Sequence, residues 1–179
     1  AADAMRQSDL LAFELAIERG KPGSVMCSYN LINGRWGCEN DYLLNKVLKR
    51  DWGFKGFVMS DWGAVHSTGA AMDGLDQFTG FCCAADKPWF APPAMKAALQ
   101  SGALTQQRLD DMVERILWAL FAKGAVDDPV RVTPIDYAAH AAVAQKAAEE
   151  SLVLLKNEGG LLPLRGASSI AVIGGNADK

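Results

Sequence analysis

Gly56-Phe57-Val58-Met59-Ser60-Asp61-Trp62-Gly63 is the stretch whose reading decides the fold. Phe57-Val58-Met59 is a continuous apolar run, the pattern of a strand buried on both faces in a parallel sheet. It stops at a hydroxyl, a carboxylate, an indole and a glycine. In parallel α/β folds the C-terminal strand ends face the active site, so Asp61 stands where chemistry is expected. A carboxylate beside a flat ring suits a sugar. The carboxylate attacks or stabilises a positively charged anomeric carbon, and the ring stacks on the sugar's C–H face. A Ser-Asp pair at a strand end also caps turns, and the pattern alone leaves both readings open.

Working outward, the preceding segment reads as a helix over 40–50, with Asn40 as cap and Leu43, Leu44, Val47 and Leu48 on one face. Before it lie a polar loop over 30–37, a short strand over 24–29 and a helix over 3–19. After Gly63 come a helical piece near Ala70-Ala71-Met72, a weaker strand over 74–78 and a Pro92-Pro93-initiated helix to Gln100. Thr105 caps the clearest helix, in which Leu109, Met112, Val113, Ile116, Leu117, Leu120 and Phe121 keep helical spacing. A linker with two prolines follows at 127–134, then an Ala-rich helix over 138–156 and an apolar strand over 169–173. Strands alternating with helices imply βα units and parallel pairing.

Composition removes several classes. The 179 residues carry 18 basic and 21 acidic side chains, a net charge of −3, which is a poor basis for meeting phosphates. No apolar run reaches the roughly 18 residues of a membrane span. Cys27, Cys38, Cys82 and Cys83 form no CxxC, and only His66 and His140 are present, so no metal site is expected. A Cys27–Cys38 pair can close a short loop, but the reading preferred for all four is buried or half-buried thiols. Gly174-Gly175 after a strand is a weak hint of a nucleotide fold, with no G-x-G-x-x-G.

Longer runs carry a resemblance. Gly23-Ser24-Val25-Met26-Cys27-Ser28-Tyr29-Asn30, then Asn33-Gly34, Cys38-Glu39-Asn40 and Leu43-Leu44, closely resemble glycoside hydrolase family three, of the β-glucosidase type. So does the continuous segment from Leu48 to Gly63, and so do Arg108-Leu109-Asp110 and the segments 152–158 and 161–164. The resemblance implies an α/β chain: the C-terminal part of a (β/α)8-type barrel over 1–126, a linker over 127–137, and the start of a three-layer α/β sandwich domain over 138–179. Asp61 then matches the catalytic nucleophile and Trp62 a wall of the glucose pocket. Tyr29, 32 positions before Asp61, matches a tyrosine close to the nucleophile and the sugar, poised to hydrogen-bond Asp61. Met26 matches another pocket-lining residue.

The implied function is retaining, exo-acting hydrolysis of terminal β-glucosyl residues, with a β-linked glucoside or oligosaccharide as substrate. No cofactor, metal, nucleic acid or membrane is expected, and a periplasmic or secreted setting is suspected. The acid/base glutamate is expected outside this chain and is not assigned to Glu39, Glu149, Glu150 or Glu158. The remainder of the enzyme or a second copy is expected to complete the fold, and exposed apolar patches are expected without it. Alternatives are a noncatalytic carbohydrate-binding or scaffold fragment and, within the family, a β-N-acetylglucosaminidase or β-xylosidase. Gln77-Phe78-Thr79 and Phe81-Cys82-Cys83 depart from the family pattern in a loop near the pocket. His66 is read as a rim residue, and Trp36 and Trp52 as packing residues.

Overall fold

The computed structural model describes residues 2–80 and 87–177, so Phe81, Cys82 and Cys83 lie outside the described residues. The chain divides into two compact units, 1–130 and 131–179. The first opens with α1 (Ala2–Gln7) and α2 (Leu11–Gly20), where one helix over 3–19 was expected. The break falls at Ser8-Asp9-Leu10. The Ser8 hydroxyl lies within hydrogen-bond reach of the Ala4 carbonyl (2.8 Å) and the Asp9 carboxylate (2.6 Å). The Leu10 N–H reaches back five residues to Met5 (2.9 Å), and Leu10 turns into the core. Side chains of this type compete with the helical ladder for backbone partners.

β1 (Ser24–Met26) follows, then a hairpin of β2 (Leu31–Ile32) and β3 (Arg35–Trp36), where a polar loop was expected. Its two-residue turn is Asn33-Gly34, with φ of 53° and 82°. Two successive left-handed residues make the turn type that matches strand twist, and Asn-Gly is its usual sequence. Asn40 then caps the next helix as expected, its Oδ1 accepting from the Leu43 N–H (3.1 Å). That helix, Tyr42–Asp51, is π-wound, and it buries Leu44, Val47, Leu48 and also Lys49.

β4 (Phe57–Met59) pairs in parallel with β1, Ser24 opposite Phe57, Val25 opposite Val58 and Met26 opposite Met59. Val58 is wholly buried, with Cys27, Cys38, Leu44, Leu48, Phe54, Val65 and Leu75 around it. On the other side of β4 the expected strand over 74–78 reduces to a single parallel bridge, Met59 to Gln77. The Val58 N–H donates to the carboxylate of Asp76 (2.7 Å). A side chain thus takes the donor that a longer ladder would engage.

A 3-10 turn over Thr68–Ala71, α3 (Pro92–Ser101) and α4 (Gln106–Ala122) complete this unit. Gly102, at φ 76°, ends α3, and the Thr105 hydroxyl accepts from the Arg108 N–H (3.1 Å) to start α4. α4 packs on β4 and buries Met112 and Ala119, while Val113, Leu117, Trp118, Leu120 and Phe121 stay exposed.

The second unit holds α5 (Tyr137–Ser151), capped by Asp136 through the Ala139 N–H (2.9 Å). The helix stops at Ser151, short of the expected Lys156, because Leu152 is extended. Residues 169–173 form no strand: no ladder partner stands beside them among the described residues, and Ile170, Val172 and Ile173 are exposed.

Candidate active site

Met26, Tyr29, Asp61 and Trp62 all fall at or just beyond the C-terminal ends of β1 and β4. Parallel pairing in this register is what brings them to one rim. Asp61 is half-buried, while Met26, Tyr29 and Trp62 are exposed. The Trp62 N–H donates to Asp61 Oδ1 (2.7 Å), and the Ala64 N–H to the Asp61 carbonyl (3.3 Å). Asp61 therefore does cap its turn, and that bond engages one of its two carboxylate oxygens. The Tyr29 hydroxyl donates to the Trp62 carbonyl (2.6 Å), so the phenol grips the backbone next to Asp61. Ser60 steadies the other side. Its Oγ accepts from the Thr79 N–H (3.0 Å), and the Thr79 hydroxyl donates to its carbonyl.

The hairpin borders the same rim. Cys27 and Cys38 are joined in a disulfide, with Cα atoms 5.0 Å apart, which corrects the reading of these two as thiols. The bond ties the end of β1 to the residues after β3. Trp36, expected to pack, is partly exposed, and its indole stacks on His66 with ring centroids 4.3 Å apart. Glu39 Oε1 accepts the His66 backbone N–H (2.7 Å).

A charged cluster lies against β4. Asp76, its side chain wholly buried, binds Lys49 Nζ at 2.7 Å and Arg108 Nη2 at 2.6 Å through Oδ1. Arg108 also donates to the carbonyls of Ala71 (2.8 Å) and Leu75 (2.9 Å). Asp111 bridges Arg108 to Arg115, and Arg115 reaches the Phe54 carbonyl (2.9 Å). Burial pushes the Lys49 ammonium down to about 8. The charge of Asp76 opposes that shift and the charge of Arg108 adds to it. The signal in the sequence is Arg108, Asp111 and Arg115 at helical spacing on one face of α4. A cleft of about 470 Å3 between Glu14, Trp52 and Trp118 opens near the opposite ends of the strands, lined by Pro22 and Lys55 and not by Asp61.

A parallel α/β unit that presents a carboxylate among aromatic side chains at its C-terminal rim fits the barrel-type glycoside hydrolases. Residues 1–119 match the model of the glycosyl hydrolase family 3 N terminal domain. The chain belongs to glycosyl hydrolase family 3. It is 43% identical over 167 residues to a protein named probable beta-glucosidase L of Aspergillus fumigatus, covering 86% of this chain and 23% of that one. It is 40% identical over 177 residues to thermostable beta-glucosidase B of Acetivibrio thermocellus, covering 98% and 22%. Among solved structures it resembles DesR, a beta-glucosidase from Streptomyces venezuelae in complex with D-glucose (39% identity, TM-score 0.70, 88% of this chain and 21% of that one). It also resembles beta-glucosidase 3B from Thermotoga neapolitana in complex with glucose (35% identity, TM-score 0.70, 87% and 22%). The chain thus spans less than a quarter of the length of these relatives.

Proposed function

We propose that the protein is a retaining, exo-acting β-glucosidase, that Asp61 is its nucleophile, and that this chain carries the nucleophile's side of the pocket. The observation that carries the reading is the placement of Asp61: a half-buried carboxylate two residues beyond a parallel strand, with its neighbour Trp62 exposed on the same rim. Supporting it are the named relatives and the glucose complexes of the two similar enzymes. In the fold that goes with this reading, residues 1–126 are the C-terminal part of a (β/α)8-type barrel. Residues 127–137 are a linker, and 138–179 begin the α/β sandwich domain.

In the first step an Asp61 carboxylate oxygen attacks the anomeric carbon. The bond to the leaving oxygen breaks, and a second carboxylic acid protonates that oxygen. In the second step the same group takes a proton from water, which displaces Asp61 and returns the configuration to β. The second carboxyl belongs outside this chain. Trp62 offers its ring face to the sugar, and Met26 lines the pocket beside β1. Tyr29 positions Asp61 by holding the Trp62 backbone.

Labelling with a 2-fluoro glucoside followed by peptide mapping tests this. The label is expected on Asp61, and a label on any other residue defeats the assignment. Asp61→Asn is expected to lower turnover on the order of 10^3-fold or more, the scale of losing a covalent nucleophile.

A further inference from the structure

Trp36 ends β3, and its ring lies against His66 with planes 28° apart. An indole is ordinarily core material, yet Trp36 retains 38% of its exposure, and His66 is exposed too. Several separate devices hold this pair at the surface. The Asn33-Gly34 turn sets the register that puts Trp36 at the hairpin's end. Cys38, two residues on, is bonded to Cys27. Gly37 lies so close to Ser28 that a Cβ there would collide with the Ser28 hydroxyl and carbonyl. Glu39 fixes the backbone of His66.

The position of the pair relative to Asp61 follows from the loops that carry it. The hairpin leaves β1 just after Tyr29, which is bonded to the Trp62 carbonyl. The loop after β4 runs from Asp61 to His66, which meets Trp36. The two loops are therefore laced together at both ends. His66 lies five residues beyond Asp61, within about 18 Å even for a fully extended segment. The bond from the Ala64 N–H to the Asp61 carbonyl draws it closer. The stack thus sits on the same two loops as Tyr29 and Asp61, seven residues past the first and five past the second. A fixed aromatic surface is pre-organised and loses little freedom when a ligand settles on it.

We infer that the Trp36–His66 stack is an outer sugar platform that receives a unit on the leaving-group side of a β-linked gluco-oligosaccharide. This inference rests on the β-glucosidase reading above. In the intact protein, kcat/KM is to be measured on an aryl β-glucoside and on cellotriose or laminaritriose, whichever is cleaved faster. Trp36→Ala is expected to lower the ratio of trisaccharide to aryl-glucoside kcat/KM about five- to tenfold, the effect of one stacking contact. Trp36→Phe should restore most of that ratio. An unchanged ratio, or equal losses on both substrates, overturns the platform. If Trp36→Ala does not fold, His66→Ala carries the same comparison. If the wild type cleaves neither substrate, the β-glucosidase reading is what fails. Calorimetric titration with cellotriose then decides the platform alone: binding lost in Trp36→Ala supports it, and no binding to the wild type overturns it.

Discussion

Tyr29 and Asp61 are joined through the backbone of Trp62, whose N–H meets the carboxylate and whose carbonyl takes the phenol. Tyr29→Phe removes one hydrogen bond and keeps the ring. Its expected cost in unfolding free energy is about 1 kcal/mol. If Tyr29 positions the nucleophile, kcat/KM should fall by more than the roughly fivefold that the same energy represents in a rate. Chemical denaturation and steady-state kinetics on the same preparation compare the two, and equal losses would assign Tyr29 to packing. At this scale the sequence was informative about placement. Asp61 follows an apolar run, and Trp62 follows Asp61. The phenol was expected to bond Asp61 and donates to the Trp62 carbonyl, 33 positions away, a contact that depends on where two distant loops come together.

β4 is held from below by Asp76, which accepts the Val58 N–H while balancing Lys49 and Arg108. Asp76→Asn keeps the acceptor for Val58 but leaves the buried Lys49 without an anion and Arg108 with Asp111 alone. A loss of about 3–5 kcal/mol in urea unfolding is expected, the scale of breaking a buried pair. Lys49→Met should cost less, because Arg108 still balances Asp76. The sign of the pH effect is also defined. Lys49 titrates near 8 in the fold against an ordinary 10.5, so between these values the unfolded chain binds more protons. Its contribution therefore stabilises the fold progressively as pH rises from about 8 to 10.5. Unfolding measured across that interval should show this rise in the wild type and lack it in Lys49→Met. Gly56 reports on the same strand. A Cβ there would run into the Gly23 carbonyl, so Gly56→Ala should push β1 from β4 and lower the melting temperature by several degrees.

Across the whole molecule, the Cys27–Cys38 bond closes a short loop around the hairpin. Chain entropy puts the stabilisation from a loop of this size near 3 kcal/mol. Cys27→Ser with Cys38→Ser should lower the unfolding free energy by about that much. The same variant should also weaken the preference for trisaccharide, because Trp36 loses its anchor. Exposed apolar side chains on α4 and over 152–173 show where the hydrophobic half of the composition has no cover among the described residues. Local chemistry was legible in the sequence: the caps at Asn40 and Thr105, the parallel strand at 57–59, of which only Val58 is fully buried, and the carboxylate just beyond its end. Each of these is settled by residues within a few positions of one another. The disulfide, the Asp76 cluster, the lacing of the two rim loops and the absence of a strand at 169–173 were decided only by the tertiary structure. A disulfide, a buried ion pair and a strand each need a partner that is distant in the chain, and the pattern of a single segment does not say which distant segment, if any, will lie beside it.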